Sequence, residues 1–269
     1  MPGAVAPVRD ALSAAEDALR AAGCDTPRLD AELLVAHAMG VGREQLFIDA
    51  DGGLQPAASR RAMELVRRRV AREPVAYIVG LKGFRHIDLR VDRRVLIPRP
   101  ETELLVELAL PLPAGARVHD VGTGSGAVAL ALKHERPDLF VSASDASPDA
   151  VDVARANAAA LGLDVPVSVA AGLPRGDYDM VLANLPYVRE DEWRTLAPEI
   201  TRYEPREALV SGEDGLDAIR ALVEQAPAGT LVALEHAPAQ AAAVRAMLGA
   251  AETHRDLAGR ERVTAGRVP

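Results

Sequence analysis

A short segment that follows an apolar run has the composition to bind a planar NH2 group. The run Met180–Ala183 predicts a buried strand, and Asn184, Leu185, Pro186 and Tyr187 follow it at once. The Asn184 side-chain oxygen can accept one N–H, and the Leu185 carbonyl the other, because Pro186 confines the preceding residue to extended conformations. The Tyr187 ring can pack against the planar group and exclude water. The alternative interpretation is a turn that simply ends a strand.

A glycine-rich segment earlier in the chain could hold a nucleoside cofactor. It reads DVGTGSG, and its candidate cofactor contacts are Asp120, Gly122, Thr123, Gly124, Ser125 and Gly126. Glycines between a strand and a helix allow a tight turn and a close approach of the backbone to a ligand. The next strand ends in Asp145, placed to accept hydrogen bonds from ribose hydroxyls. The combination indicates an adenosine-containing cofactor rather than a purely structural turn.

The spacing within this segment leaves the identity of the cofactor open. The dinucleotide fingerprint is G-x-G-x-x-G, whereas this segment reads G-x-G-x-G, and no Lys-Ser or Lys-Thr follows it as in a phosphate-binding P-loop. Asp120 adds a carboxylate just before the loop. A carboxylate repels pyrophosphate but favours a cationic ligand, such as the amino group of S-adenosylmethionine.

The elements that must position both segments alternate between strand and helix from Ala116 onward. This alternation predicts an α/β fold with a mostly parallel, doubly wound sheet, whose ligands bind beyond the carboxyl ends of the strands. Asn184 follows the fourth strand, so we expect it beside the glycine-rich segment. Later elements are predicted as a helix over 215–226, a strand over 230–235 and a helix over 238–249.

The first part of the chain has helical periodicity. Residues 1–73 predict a helical domain in which Gly40 ends one helix and Ser59 caps another. The second of these helices carries the densest basic run, with arginines at positions 60, 61, 67, 68, 69 and 72. They form either a solvated face or a docking surface for an acidic or RNA-rich partner. Residues 74–97 predict a β-hairpin linker, which leaves 98–269 for the second domain.

Composition limits the classes of function. The 269 residues carry a formal net charge of −8, which makes a phosphate backbone an unfavourable default partner. Cys24 is the only cysteine, and the six histidines show no metal-ligand spacing, so we expect no metal site. Neither a signal peptide nor a membrane-length apolar run is evident. We therefore expect a cytoplasmic, monomeric protein with no direct, sequence-specific contact to nucleic acid.

Several motifs together resemble one family. Asn184–Tyr187 is similar to the (N/D)-P-P-Y motif of methyltransferases that act on planar nitrogens. The remaining motifs are REPVAYIVG, LIPRPETELLVE, DVGTGSGAVALAL, ERPDL, YEPREAL, GEDGL, ALEHA and RDLAGRERVTAGR. In this order they resemble the bacterial HemK-type release-factor glutamine methyltransferases from about Glu73 to Arg267, and the helical N-terminal domain also fits. The family implies a Rossmann-like class I methyltransferase fold with a seven-stranded sheet, and a helical domain that docks release factors.

The resemblance also implies roles for residues. Gly122–Gly126 would wrap the methionine part of S-adenosyl-L-methionine, and Asp145 would hold its ribose. Asn184–Tyr187 would bind the substrate glutamine, with Asn184 shared between cofactor and substrate. Arg99–Glu103 would line the pocket near the methyl group, with Arg99 as a candidate substrate contact. The adenine would lie near Gly172 or Leu173. The implied substrate is the Gly-Gly-Gln glutamine of class-1 peptide chain release factors, methylated at N5 to tune translation termination.

One departure and two alternatives accompany this reading. Leu185 stands where the family usually has proline, but leucine keeps the backbone carbonyl that the contact needs. An adenine-N6 methyltransferase acting on nucleic acid would need the same NH2 geometry, although the acidic composition and the lack of a target-recognition domain argue against it. A non-catalytic protein that binds S-adenosylmethionine or a release factor is the other alternative, and the intact Asn184, Pro186 and Tyr187 argue against it.

Overall fold

The chain folds into two compact units, which are described separately. The computed structural model describes residues 7–269. The first unit comprises the chain up to Gly80 together with Pro198–Tyr203, and the second comprises Leu81–Ala197 and Glu204–Pro269. The chain therefore leaves the first unit after residue 80, returns to it for six residues, and then completes the second unit.

Helices build the first unit, and their apolar sides form its core. Their bounds are α1 Val8–Ala21, α2 Pro27–Met39, α3 Arg43–Ile48, α4 Pro56–Val70, α5 Val75–Val79 and α9 Pro198–Tyr203. Leu12, Leu34 and Leu65 from α1, α2 and α4 are buried in one cluster. The predicted end of α2 is confirmed, because Gly40 follows it with a φ of 71°, the left-handed conformation that glycine adopts easily.

Two local predictions for this unit are wrong. Helix α4 begins at Pro56, so Ser59 lies inside the helix and does not cap it. A proline fits the first helical position because its missing N–H would have no partner there, and this signal outweighs the serine. Residues Val75–Val79 form helix α5 instead of a strand of the linker. An apolar run of five residues has no decisive period, and strand structure starts only at Leu81.

A seven-stranded sheet forms the centre of the second unit. Its strands are β3 Arg117–Val121, β4 Phe140–Asp145, β5 Val167–Val169, β6 Met180–Ala183, β7 Leu231–Glu235, β8 Gly249–Arg255 and β9 Glu261–Arg267. They lie in the order β5-β4-β3-β6-β7-β9-β8. The pairs among β3 to β7 are parallel, and β9 is antiparallel to both β7 and β8. The predicted mostly parallel sheet is confirmed.

Helices cover both faces of this sheet. Their bounds are α6 Glu103–Ala109, α7 Ala127–Glu135, α8 Pro148–Leu161, α10 Asp217–Gln225 and α11 Ala241–Ala246. Met180 and Leu182 of β6 pack in one apolar cluster with α6, α7 and α8, whereas Val181 and Ala183 pack in another with α10 and α11. Since successive strand residues point to opposite faces, the sheet is wound on both sides, as the alternation predicts.

The remaining elements adjust the predicted boundaries. Strands β1 Leu81–Phe84 and β2 Ile87–Arg90 form a hairpin, and its Phe84 and Leu89 are buried in the core of the second unit. The helix predicted over 238–249 is shorter, because Pro238–Gln240 is a 3-10 turn, α11 ends at Ala246 and Gly249 already belongs to β8. Ser147 caps α8 as its sequence position suggests, accepting a hydrogen bond from Ala150 N at 3.3 Å.

The pairing of β3 with β6 brings the two chemical segments together. Asp120 stands opposite Leu182 and Val121 opposite Ala183 in a parallel register. Both strands therefore end at the same level, and the residues that follow them, Gly122 and Asn184, begin side by side. This confirms that the segment after the fourth strand lies beside the glycine-rich loop.

Candidate functional site

The glycine-rich loop turns sharply between β3 and α7. Gly122, Gly124 and Gly126 have φ values of 72°, 56° and 85°, a region that strains other residues. A Cβ on Gly122 would lie 2.9 Å from Leu185 Cδ2, whereas a Cβ on Gly124 would meet no atom within 4 Å. The loop therefore packs against the Asn184–Tyr187 segment at Gly122 and exposes its backbone to open space at Gly124.

Two acids hold this loop from different sides. Asp145, at the end of β4, accepts hydrogen bonds from Gly124 N through Oδ2 and from Ser147 N through Oδ1, each at 2.9 Å. Asp120 Oδ2 accepts from Thr123 Oγ1 at 2.6 Å and from Ala129 N at 3.3 Å. Burial raises the pKa of Asp120 to about 7, so this carboxyl would gain from a cationic ligand nearby.

A cavity of about 440 Å³ opens at the carboxyl ends of the strands in the second unit. It is lined by Gly122, Gly124, Asp145, Gly172, Asn184 and Leu185, among others. Its volume falls in the range of small-molecule sites. Gly172, named above as a candidate for the adenine side, lines the cavity with a φ of 90°, while Leu173 donates its N–H to Gln225 Oε1 at 3.0 Å.

Two small recesses adjoin the same residues. One, of about 40 Å³, is lined by Arg99, Thr102, Asp120, Thr123, Ser125 and Asn184, among others. The other, of about 30 Å³, is lined by Arg99, Asn184, Leu185 and Tyr187, among others. Asn184 therefore lines the large cavity and both recesses, and Arg99 lines both recesses.

The first and last residues of the Asn184–Tyr187 segment are fixed by hydrogen bonds to their neighbours. Asn184 Nδ2 donates to Thr102 Oγ1 at 2.9 Å. The Tyr187 hydroxyl donates to Glu235 Oε1 at 3.1 Å, and the Tyr187 carbonyl accepts from Gln240 Nε2 at 2.9 Å. Burial and the nearby Glu235 raise the pKa of Tyr187, so its hydroxyl stays protonated at neutral pH.

Arg99 is held by a buried carboxylate. Its guanidinium donates to Glu204 Oε1, and Glu204 Oε2 accepts from Ile97 N at 3.1 Å. The Glu204 side chain is only 1% exposed. The sequence suggests only that Glu204-Pro205 shapes the irregular loop, whereas the structure shows that Glu204 fixes Arg99 at the recesses.

Several residues that sequence reasoning missed, or assigned elsewhere, contact this site. Glu235 and Gln240 bind the Asn184–Tyr187 segment, as described above, and so does Thr102, which lies within the Arg99–Glu103 range already expected at the pocket. No local pattern marks Glu235 or Gln240, since their partner Tyr187 lies 48 and 53 residues away along the chain. Trp193, the only tryptophan in the sequence, lies with the Arg206 guanidinium 5.8 Å from its ring centre and lines none of the three cavities.

Histidine and acidic side chains offer no metal centre in residues 7–269, because no group of three or more could hold an ion. His119, inside β3, contacts the hydroxyls of Ser142 and Ser144 at 2.8 and 2.9 Å. Burial lowers the pKa of His119 to about 4, which keeps it neutral in the core. In the part of the chain that the structure describes, no helix has the length and apolarity to cross a membrane.

Comparisons with known proteins match both parts of the chain. Residues 10–80 match the family model described as PrmC N-terminal domain, and residues 100–212 match the Methyltransferase small domain. A release factor glutamine methyltransferase from Deinococcus radiodurans is 41% identical and covers 97% of this chain and 98% of its own. A protein of the same name from Cereibacter sphaeroides is 42% identical, with coverage of 97% and 98%.

A solved structure shares the fold at low identity. The hMettl16 catalytic domain, in complex with the MAT2A 3′UTR hairpin 6, superposes with a TM-score of 0.50 at 13% identity. The match covers 79% of this chain and 81% of that one. At this identity the likeness concerns the fold alone, and it agrees with the seven-stranded sheet described above.

Proposed function

Because the chain belongs to the release factor glutamine methyltransferase family, we propose that it methylates a glutamine side chain using S-adenosyl-L-methionine. The acceptor would be N5 of the glutamine in the Gly-Gly-Gln motif of class-1 peptide chain release factors, and the product N5-methylglutamine. Relatives that match nearly the full chain are named release factor glutamine methyltransferases, and this supports the proposal over the two alternatives.

The large cavity fits the cofactor. Asp145 faces the cavity with a carboxylate that can accept ribose hydroxyls in addition to its two backbone N–H groups, since each oxygen has two lone pairs. Gly124 leaves open space where any other residue would have a side chain. Asp120 lies beside the loop as a partner for a cationic amine. When bound, S-adenosylmethionine supplies a methyl group activated by the sulfonium.

The observation that carries the proposal is the position of Asn184. Its side chain borders the cofactor cavity and both recesses, so a single amide can contact ligands on two sides. Its Nδ2 is engaged by Thr102, which leaves Oδ1 as the acceptor for a substrate N–H. The Leu185 carbonyl would accept the second N–H. Arg99, fixed by Glu204, and the tethered Tyr187 would complete the walls around the glutamine.

These acceptors address the chemical difficulty of the reaction. An amide nitrogen is a weak nucleophile because its lone pair is delocalised into the carbonyl. Two fixed acceptors hold both N–H bonds, orient the nitrogen and stabilise the positive charge that grows on it. Such positioning can contribute about 7 to 11 kcal/mol to lowering a barrier in favourable cases. The proton leaves after methyl transfer, so the site needs no strong general base.

We also propose that the helical N-terminal domain, residues 1–73, docks the release factor and that residues 98–269 carry out methyl transfer, with residues 74–97, which contain α5 and the β1–β2 hairpin, connecting the two in sequence. The protein would act as a monomer in the cytoplasm, where its proposed substrate works in translation. Arg60, Arg61 and Arg67 on α4 support a docking role because they are exposed. A direct, sequence-specific contact with nucleic acid is not part of this proposal, in keeping with the net charge of −8.

Peptide-resolved mass spectrometry tests the proposal. Purified protein is incubated with methyl-labelled S-adenosylmethionine and an unmethylated release factor, with Asn184→Ala in parallel. We expect one methyl group on the Gly-Gly-Gln glutamine and a loss of about 100-fold or more in rate for Asn184→Ala, comparable to removing one preorganised polar group. Asp164→Asn, which changes an exposed acid of the same unit, is the control.

Two results would contradict the proposal. Transfer to adenine in nucleic acid, with none to the release factor, would establish the first alternative. Cofactor binding without transfer to any Gly-Gly-Gln protein would establish the non-catalytic alternative.

A further inference from the structure

A buried carboxyl, Glu235, lies behind the two side chains that would face the glutamine. Glu235 ends β7 and is 1% exposed. Its Oε1 accepts the Tyr187 hydroxyl at 3.1 Å. The nearby Thr102 hydroxyl lowers the pKa of this carboxyl. Oε2 is buried and has no hydrogen-bond partner among the described residues, which leaves it open as an acceptor for the Thr102 proton.

Thr102 links this carboxyl to Asn184. A hydroxyl has one proton, and an ionised carboxylate can only accept hydrogen bonds. With its proton turned to Glu235, Thr102 would offer only a lone pair to Asn184. Asn184 Nδ2 donates a hydrogen bond to this lone pair, at 2.9 Å from Thr102 Oγ1. The opposite orientation of the amide would set two acceptors, Asn184 Oδ1 and Thr102 Oγ1, against each other.

We propose that Glu235 is a positioning residue for methyl transfer: through Thr102 it selects the amide orientation that presents Asn184 Oδ1 to the glutamine, and through Tyr187 it fixes the ring beside it. The inference rests on the proposed function for the identity of the substrate. The orientation itself is a property of the protein alone. Thr102 and Asn184 line the same recess, so a change in this relay is transmitted directly to the place where the substrate amide would bind.

The charges around Glu235 make the relay sensitive to its protonation. Burial raises the pKa of Glu235 to about 7, and the Thr102 and Tyr187 hydroxyls and Arg262 of β9 oppose this rise, while Glu101 adds to it. The neighbouring His236 has a pKa lowered by burial and stays neutral at this pH. A protonated carboxyl can donate to Thr102, whose proton would then turn to Asn184 and favour the reversed amide. Turnover should therefore rise with pH around 7.

Three variants test the relay. Glu235→Gln keeps the shape and still accepts from Tyr187, but its NH2 group donates to Thr102 and reverses the relay. We expect kcat to fall about 100-fold, as for loss of an oriented polar contact, with the Kd for S-adenosylmethionine within about twofold. Thr102→Val removes the link and leaves both amide orientations accessible, so kcat should fall only about threefold.

The double variant separates positioning from a structural role. Because the reversed relay acts through Thr102, Glu235→Gln with Thr102→Val should behave like Thr102→Val alone and recover about tenfold or more of the activity lost in Glu235→Gln. The acid limb of the pH profile should also vanish in Glu235→Gln, which distinguishes Glu235 from Asp120. Thr264→Val is the matched control, since it removes another buried hydroxyl, bonded to His236 Nε2, away from the cavities.

The orientation of the Asn184 side-chain amide can also be measured without a catalytic assay. In 15N-labelled protein, we expect nuclear Overhauser contacts between the Asn184 side-chain NH2 and the Thr102 methyl group, and their loss in Glu235→Gln. Any of three results would overturn the proposal. They are a Glu235→Gln variant that turns over at the wild-type rate, losses that add up in the double variant, and an Asn184 NH2 signal that Glu235→Gln leaves unchanged. If the wild type shows the contacts but methylates no release factor, the proposed function fails while the relay stands.

Discussion

At the scale of single residues, the close approach of Gly122 to Leu185 joins the glycine-rich loop to the Asn184–Tyr187 segment. Gly122 has a φ of 72°, and an added Cβ would lie 2.9 Å from Leu185 Cδ2. Two costs would therefore follow from a side chain at this position: left-handed backbone strain of about 1 to 2 kcal/mol, and a steric overlap. The Leu185 side chain supplies the atom nearest to this position, while its backbone keeps the carbonyl that the proposed contact needs.

We expect Gly122→Ala to weaken S-adenosylmethionine binding by about five- to thirtyfold, because a loop that relaxes to avoid the strain must regain the left-handed conformation to bind. Leu185→Ala in the same protein should recover the steric part of the loss but not the strain. Isothermal titration of the single and double variants measures both parts. An equal loss with and without Leu185→Ala would show that the overlap does not matter, and Gly259→Ala, on a distant turn with no nearby atoms, controls for strain elsewhere.

Asp145 gives a second prediction at this scale. Asp145→Asn replaces one acceptor oxygen with an NH2 group that would face a backbone N–H of Gly124 or Ser147. Wild-type protein should gain about 2.7 kcal/mol of stability at a cofactor concentration of 100 Kd, seen as a higher melting temperature. The variant should show no such gain at the same concentration. Asp164→Asn should keep the full shift, and an unchanged shift in Asp145→Asn would remove Asp145 from the cofactor site.

At the scale of elements, the short helix α9 is bound to α4 by an ion cluster within the first unit. Glu199 accepts from Arg69 Nη1 and from Arg72 Nε and Nη2, each at 2.7 Å, and Arg69 also donates to Asp30. Burial alone would raise the pKa of Glu199, but the hydrogen bonds from the two arginines outweigh it and bring the pKa down to about 2. Three of the six arginines on and after α4 therefore pair with acids: Arg69 and Arg72 with Glu199, and Arg68 with Glu73.

Glu199→Gln should lower the free energy of unfolding by about 3 kcal/mol at pH 7, because it leaves two arginines with one fewer carboxylate. A depressed carboxyl pKa stabilises above the unfolded value, so the difference from wild type should shrink as pH falls from about 4.5 to about 2. Urea titrations followed by circular dichroism measure it. Glu224→Gln, an exposed carboxyl on α10, should change little, and a pH-independent difference would contradict the assignment to charge.

The exposed arginines of α4 are the part of the basic run that we propose binds the release factor. Reversing Arg60 and Arg67 to glutamate should raise the KM for the release factor about tenfold or more while leaving the KM for S-adenosylmethionine unchanged, because each reversal replaces attraction by repulsion. Arg117→Glu with Arg175→Glu, exposed cations of the other unit, makes the matched control. An unchanged KM for release factor would assign these arginines to a solvated face.

At the scale of the whole molecule, the regular periodicity of the sequence predicted the architecture, whereas the polar contacts between distant residues could be identified only from the structure. The strand-helix alternation from Ala116 predicted that Asn184 would lie beside the glycine-rich loop, because parallel strands end at one edge. The start of α4 and the helix at 75–79 were missed where a short run gave competing signals. Glu235 and Glu204 could not be predicted as partners, since a buried carboxyl finds its donors across the fold and leaves no mark in neighbouring residues.

The late return of the chain to its first unit has a consequence for synthesis on the ribosome. Residues 81–197 must be translated between α5 and α9. At about 5 to 20 residues per second, this takes roughly 6 to 25 seconds, during which Arg72 of the nascent chain lacks the carboxylate of Glu199. The part of the protein that is made first is therefore completed only after residues 81–197 of the second unit have been synthesised, and its last helix is delivered from within the sequence of the methyltransferase domain.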